Sequence, residues 1–143
     1  MIDEHTLSQN AADNCFVCGE KNDKGLKLKF KISKEICTCE FIPLNHHVGY
    51  KNVIHGGLIF AVLDDCMANW FYLKGIVAFT ARAETRFYSK LRVGETAIVT
   101  AKLENKKRNL VSLESKMHKK NDSTLIASSN AKFMVTENAG KAL

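Results

Sequence analysis

Two adjacent aspartates, Asp64 and Asp65, stand in the middle of the longest apolar run of the sequence. A carboxylate among apolar residues has to be paired, hydrogen-bonded or shifted in pKa, so it either carries a structural cost or works in a site. Neighbouring residues of a helix point about 100° apart, so the two acids cannot face the same group. The sequence leaves open which of them does chemistry, and an ion pair with Arg82 or Arg86 is the structural alternative for both.

The same run begins with His55, Gly56 and Gly57, which predict a site for a carbonyl group. Glycines leave the backbone open, so a ligand can approach the N–H groups at the positive end of a helix dipole. Such groups can stabilise an oxyanion that develops on a carbonyl oxygen. The structural alternative is a tight turn from a loop into a helix, in which His55 only packs at the helix start.

The elements that position these residues follow from hydrophobic periodicity. The run from His55 to Leu73 is too long and too continuous for a strand and predicts a buried helix. Alternating apolar residues predict strands at 26–32 and 36–42 before the helix, and at 76–88, 97–103, 111–117 and 127–135 after it. Turn residues between the last four strands predict hairpins. The sequence therefore predicts an α+β fold, with a curved antiparallel sheet wrapped around one long central helix.

Composition limits the remaining function classes. A chain of 143 residues with 45% hydrophobic content fits one domain at 15–138, with a flexible N-terminal arm at 1–14 and a C-terminal tail at 139–143. Charges break the apolar run and the first residues are polar, so we expect no membrane segment, no secretory signal and a cytoplasmic protein. The net charge of +6 favours an anionic partner. Without interleaved aromatic residues, the basic residues favour a small phosphate-bearing ligand over nucleic acid.

The five cysteines are an odd number, which predicts reduced thiols rather than a disulfide framework. Cys15 and Cys18, followed by Cys37 and Cys39, have a spacing that is compatible with a zinc site. However, Cys37 and Cys39 alternate with their neighbours as inward residues of a strand do, and cysteine is commonly a small buried hydrophobe. We therefore predict no metal.

Together these patterns resemble a known family, the hotdog-fold acyl-CoA thioesterases. The resemblance covers roughly residues 14–136 and is closest to the 4-hydroxybenzoyl-CoA and phenylacetate-pathway thioesterase group. It rests on the His-Gly-Gly sequence, on an acid nine positions after the histidine, and on an upstream pattern of Asn14, Cys15, Phe16, Cys18, Gly19, Gly25 and Leu26.

The resemblance implies a hotdog fold, a homodimer or a dimer of dimers (a homotetramer), and active sites at the subunit interface. It implies an enzyme that hydrolyses an acyl-CoA thioester to a carboxylate and CoA, with no cofactor beyond the coenzyme A moiety of the substrate. Some relatives keep the acyl-CoA pocket and do not hydrolyse. A non-hydrolytic acyl-CoA or acyl-carrier-protein binding module of the same fold is therefore the alternative.

The resemblance also implies roles for individual residues. Asp64 would act as general base or nucleophile, Gly56 and Gly57 would polarise the carbonyl, and Thr80 would position the attacking water. The alternation in the strand at 76–88 puts Phe79 on the helix and Thr80 on the opposite face. We therefore expect Thr80 to meet Asp64 only in a second subunit.

The remaining predicted contacts are with the substrate. Related enzymes often carry Asn or Gln a few residues before the His-Gly-Gly, whereas this chain has Gly49 there, which leaves His47, Asn52 or a water as a substitute. Coenzyme A phosphates need exposed cations, for which solvated loops are the structural alternative. The full set of predicted substrate-binding residues is His47, Asp65, Lys90, Arg92, Lys106 and Arg108.

Overall fold

A computed structural model describes residues 11–143, which form a six-stranded antiparallel sheet and one long helix. In chain order the elements are β1 (Lys31–Ser33), β2 (Ile36–Phe41), a 3-10 turn (Asn45–His47), α1 (Gly56–Tyr72), β3 (Ala78–Phe87), β4 (Ala97–Lys107), β5 (Leu110–Lys119), β6 (Leu125–Val135) and α2 (Glu137–Ala142). The strand order across the sheet is β1-β2-β4-β5-β6-β3, and every neighbouring pair is antiparallel. The predicted architecture, a curved antiparallel sheet around one long helix, is confirmed. Of the hairpins predicted between the last four strands, β4–β5 and β5–β6 form, whereas the one between β3 and β4 is wrong, because β3 pairs with β6 instead.

The helix α1 packs against β2 to β6 and forms the centre of the core. His55 caps its first turn, and beyond its last turn Gly75 adopts a left-handed conformation with φ of 75°, which suits glycine. Trp70 also anchors the helix to the loop between β1 and β2, because its Nε1 donates a 2.9 Å hydrogen bond to the carbonyl of Glu35. The largest fully buried side chains include Phe41, Leu63, Met67, Trp70, Phe71 and Phe133.

The first strand is shorter than the sequence predicts. The lysines of the predicted strand are exposed. The apolar residues that alternate with them are partly buried and pack against the core: Leu26, Leu28, Phe30 and Ile32. Only Lys31–Ser33 pairs with β2. The N–H groups of Leu26 and Leu28 donate instead to the carbonyls of Phe16 and Val17, at 2.8 and 2.9 Å. The alternation is confirmed, but its backbone bonds go mainly to the preceding turn.

A bulge at Ala81 divides β3 into two halves. Thr80 pairs with Phe133 and Arg82 pairs with Lys132, so Ala81 has no partner in β6. Antiparallel partners share a face of the sheet, so Thr80 lies on the same face as the buried Phe133, toward α1. The prediction that Thr80 points away from its own helix is wrong, because one extra residue reverses the alternation.

The structure describes the predicted C-terminal tail but only the last few residues of the predicted N-terminal arm. The predicted arm at 1–14 falls mainly on residues 1–10, which lie outside the described residues. The last residues, predicted as a tail, contribute to α2, whose end receives hydrogen bonds from Lys106 Nζ to the carbonyls of Gly140 (2.8 Å) and Leu143 (2.7 Å). Within residues 11–143, neither helix combines the length and the apolarity that a membrane crossing requires.

Candidate active site

Asp64 projects from the middle of α1 toward β3 and meets Thr80 of the same chain. The Thr80 hydroxyl donates a hydrogen bond of 2.8 Å to Asp64 Oδ1. Burial raises the pKa of Asp64 above its usual range, and the hydrogen bond from Thr80 acts in the opposite direction. A half-buried carboxylate held by one hydroxyl is suited to accept a proton from water or to attack a carbonyl carbon.

The first turn of α1 is exposed and offers one open backbone donor. The Gly57 N–H donates to His55 Nδ1 at 2.9 Å, so His55 is the N-cap. The Gly56 N–H has no acceptor among the described residues. A Cβ at Gly56 would lie 3.6 Å from the Phe87 ring, which forms an apolar wall beside it. The Gly56 N–H therefore stands at the positive end of the helix, where a carbonyl oxygen can bind.

These two parts of the site lie far apart along one helix. Gly56 and Asp64 are eight residues apart, which corresponds to about 12 Å at 1.5 Å per residue. A carbonyl held at Gly56 is therefore out of reach of Asp64 in the same chain. The strand beside Asp64, β3, is an edge of the sheet, and most of its side chains are exposed.

Asp65 points to another side of α1 and belongs to a different cluster. Cys15 Sγ lies 3.6 Å from Asp65 Oδ1, and Asn69 Nδ2 donates to Asp65 Oδ2 at 3.0 Å. Burial, and to a smaller extent the nearby Cys15, raise the pKa of Asp65 to about 7. Sequence reasoning missed this cluster. The available signals were the Cys15-x-x-Cys18 spacing and the placement of Asp65 and Asn69 one helical turn apart.

The ion pairs considered as structural alternatives are absent from the described residues. Neither Asp64 nor Asp65 pairs with Arg82 or Arg86 there. Arg86 lies 3.4 Å from Glu84, with both side chains largely exposed. Within one chain, the two aspartates are therefore not partners of the strand arginines.

The predicted coenzyme A cations form two groups at opposite ends of the sheet. Lys90 and Arg92 are exposed, and Arg92 forms a β-bridge with Val53 in the loop that leads into α1. Lys106 and Arg108 lie at the β4–β5 hairpin, where Lys106 binds the end of α2. Only the first pair lies near the start of α1.

His47 is buried in the loop before α1. Its Nδ1 accepts the Leu44 N–H at 2.9 Å, and its carbonyl accepts the His55 N–H at 2.9 Å. Burial, with a smaller contribution from His46, lowers the pKa of His47 below its usual range. These contacts make His47 a residue that shapes the loop and thereby places His55.

Sequence comparison identifies the family. The sequence profile of the thioesterase superfamily matches residues 51–126, from the loop before α1 into β6. The chain belongs to this superfamily. No curated protein matches the sequence significantly.

Solved structures with low sequence identity share the hotdog fold, which confirms that prediction. Zebrafish thioesterase superfamily member 2 is 16% identical, with a TM-score of 0.74, covering 92% of this chain and 100% of its own. The Escherichia coli PaaI protein from the phenylacetic acid degradation operon is 14% identical, with a TM-score of 0.71, covering 78% and 80%.

A hypothetical thioesterase from Streptococcus pneumoniae TIGR4, solved with coenzyme A, is 12% identical, with a TM-score of 0.71. The match covers 77% of this chain and 89% of that one. Two further structures of that protein carry alanine in place of an aspartate and in place of a threonine sixteen positions later.

Proposed function

We propose that the protein is an acyl-CoA thioesterase. The observation that carries the proposal is the 2.8 Å hydrogen bond between Thr80 and the half-buried Asp64 at an open strand edge, in a chain of the thioesterase superfamily. The coenzyme A in the pneumococcal structure supports an acyl-CoA ligand. The aspartate and threonine replaced in that protein have the same sixteen-residue spacing as Asp64 and Thr80, which supports the assignment of this pair.

The proposed reaction uses the helix start and the acid together. The Gly56 N–H binds the thioester oxygen and stabilises the negative charge that develops on it. Asp64 takes a proton from water while the water oxygen bonds to the carbonyl carbon. The C–S bond then breaks, and the proton passes to the departing thiolate, which gives a carboxylic acid and CoA. Thr80 holds the Asp64 carboxylate in place through its hydroxyl. In the nucleophilic alternative, Asp64 Oδ attacks the carbonyl carbon, the C–S bond breaks and CoA leaves as a thiolate. Water then hydrolyses the resulting anhydride, which regenerates the Asp64 carboxylate, releases the acyl group as a carboxylic acid and supplies the proton that the thiolate takes up.

A homodimer joins the two halves of this site. Along β3, Thr80 lies beside Asp64 and Phe87 lies beside Gly56. If two copies pair their β3 edges antiparallel around the middle of the strand, Thr80 of one copy comes opposite Phe87 of the other. Asp64 of each copy then approaches Gly56 of its partner, which gives two shared sites. The exposed edge of β3 supports this assembly, and a dimer of dimers stays a further prediction.

The coenzyme A phosphates are proposed to lie near Lys90 and Arg92. These two cations are exposed beside the loop that leads to Gly56. Lys106 and Arg108 are left out of this proposal, because Lys106 already binds two carbonyls at the end of α2.

The direct test is thiol release from a panel of acyl-CoAs of different chain length and aromatic character, followed with a thiol reagent. We expect release by the wild-type protein and by Asp122→Asn, which changes an exposed turn aspartate, but not by Asp64→Asn. Coenzyme A binding without release from any substrate would contradict hydrolysis and support the binding-module alternative.

The shared site has its own test, based on two inactive variants. Gly56→Pro removes the N–H donor but suits the first helical position, and His55 before it already has the extended backbone that proline favours. Mixing and reassociating Gly56→Pro with Asp64→Asn should give heterodimers with one intact site each, and so restore about a quarter of wild-type turnover. No recovery in a verified heterodimer would contradict a site shared between copies.

A further inference from the structure

The turn from Cys15 to Cys18 holds two thiols side by side. The Gly19 N–H donates to the Cys15 carbonyl at 2.9 Å, which closes a helical turn and puts residues three positions apart on one side. Glycine is required at position 19, because a Cβ there would lie 2.4 Å from the Cys15 nitrogen. The Leu26 N–H donates to the Phe16 carbonyl and ties the turn to the next segment. The backbone thus places both thiols in one direction.

Asp65 of α1 completes a group of three potential metal ligands. The two Sγ atoms and a carboxylate oxygen of Asp65 all lie within 4.8 Å of one another. Ligands at about 2.3 Å (sulfur) and about 2.0 Å (oxygen) from a tetrahedral Zn²⁺ would be about 3.3 to 3.8 Å apart. The 3.6 Å separation of Cys15 Sγ and Asp65 Oδ1 falls in that range. The three groups can therefore converge on one ion with small side-chain movements.

Among residues 11–143, the group has acidic members and no cationic partner. No ion pair among the described residues includes Asp65, and the other polar side chain that contacts it is the neutral amide of Asn69. Two thiolates and a carboxylate would repel one another strongly in this half-buried position. A bound divalent cation would remove that repulsion.

We propose that Cys15, Cys18 and Asp65 bind one divalent cation of borderline softness, for which Zn²⁺ is the best fit. Thiolate with carboxylate ligation suits Zn²⁺, whereas Mg²⁺ and Ca²⁺ prefer sites made of oxygen ligands alone. Asn69 Nδ2 donates to Asp65 Oδ2 and lies 3.7 Å from Cys18 Sγ, so it orients two of the ligands. A cavity of about 130 Å³ borders all four residues and has room for a water as fourth ligand.

This site differs from the four-cysteine arrangement considered from the sequence, for which no metal was predicted. Cys37 and Cys39 are buried in β2, as expected of inward strand residues, and take no part in the group. Asp65 takes the third position instead. The cation would join the N-terminal turn to α1 one residue from Asp64, and it would stabilise the fold because the site does not exist in the unfolded chain.

Cobalt provides a spectroscopic probe of this site. The full chain, freed of metal with a chelator under reducing conditions, is titrated with Co²⁺ and then with Zn²⁺. We expect one equivalent of Co²⁺ per chain with sulfur-to-cobalt charge-transfer absorption, which Zn²⁺ abolishes. Cys15→Ser, Cys18→Ser and Asp65→Asn should each weaken binding at least tenfold, whereas the matched controls Cys37→Ala and Asp64→Asn should retain it.

Several results would overturn the proposal. The first is the absence of charge-transfer absorption, and the second is metal binding that is unchanged in the three ligand variants. The third is a protein that binds no metal and instead contains a Cys15–Cys18 disulfide, which a mass lower by two hydrogens would reveal. If a ligand variant fails to fold, the test uses the wild-type protein only. Zn²⁺ must then raise its unfolding temperature, and a chelator must reverse that rise. Asp64→Asn separates the two proposals, because it should lose thioester hydrolysis and keep the cation.

Discussion

Asp64 and Asp65 are neighbours on α1, yet their surroundings differ in kind. Asp64 faces an open strand edge and receives one hydrogen bond, from Thr80. Asp65 is enclosed by the chain itself, with Cys15 on one side and Asn69 on the other. The rotation of about 100° between consecutive helical residues is enough to separate a carboxylate at the strand edge from one that contacts side chains of the N-terminal turn and of its own helix. What stands across from each acid therefore decides its role.

The largest expected effect is on turnover and tests this contrast directly. Asp64→Asn should lower kcat for acyl-CoA hydrolysis by roughly 10²- to 10⁴-fold, because it removes the proton acceptor. Asp65→Asn should keep kcat within about tenfold of wild type. Circular dichroism and the oligomeric state of both variants provide the folding control. A larger loss of turnover in Asp65→Asn than in Asp64→Asn would reverse the assignment.

The donor to Asp64 should matter next. Thr80→Ala removes a hydrogen bond to a charged group, worth about 1.5–3 kcal/mol, so we expect turnover to fall roughly 10- to 100-fold. Because Thr80 is exposed within one chain, the unfolding free energy of the isolated chain should change little. Thr80→Ser keeps the hydroxyl and should recover most of the activity. Equal losses in the alanine and serine variants would show that the hydroxyl is not what matters.

The donor to Asp65 should affect stability instead. Asn69→Leu removes the amide that donates to the Asp65 carboxylate and leaves a partly buried acid without that partner. We expect the unfolding free energy, measured by urea titration, to fall by about 1–3 kcal/mol. Turnover per folded molecule should stay close to that of the wild type. Loss of turnover without loss of stability in Asn69→Leu would contradict the assignment of catalysis to Asp64 and of a structural role to the contacts of Asp65.

Acidification should have the smallest effect on stability, and it limits the pH range in which variants of Asp64 and Asp65 can be compared. The pKa of His47 is lowered in the folded chain, because burial favours the neutral ring. Its contribution to stability is therefore present above the unfolded pKa of about 6.5 and is lost as the pH falls through that value toward the folded pKa. The raised pKa of Asp65 acts in the opposite direction in wild type and variant alike, so the His47 effect is measured as the difference in unfolding free energy between wild type and His47→Gln. We expect this difference to decline below pH about 6.5, and a difference that does not change with pH would show that His47 does not contribute.

Periodicity was sufficient to predict the helix and the strands, because each of its signals is local, but it did not predict that β3 pairs with β6 rather than with β4. In the helix that follows His55 and in the later strands, the pattern of apolar and polar residues can be read within each segment. The structure places these elements within a few residues of the predicted bounds. The bulge at Ala81 leaves no such mark, since an alanine fits the alternation equally well in either register. Thr80 was therefore predicted on the wrong face.

Long-range contacts set the other limit to prediction. The sequence showed the Cys15-x-x-Cys18 spacing and the pair of acids, but Asp65 meets Cys15 across fifty positions of chain. Only the packing of the N-terminal turn on α1 brings them together. The third member of that group could not be found from spacing alone.

The bulge also changes what a single edge strand can offer. Thr80 and Phe87 are seven positions apart, an odd separation, and in an unbroken strand they would face opposite sides of the sheet. The extra residue at Ala81 makes their effective separation even, so both face α1: one beside Asp64, the other beside Gly56. If Ala81 instead paired with β6 in a regular ladder, one of these contacts would turn away from the helix. The geometry of the whole site therefore depends on an even number of paired positions separating Thr80 from Phe87 in β3.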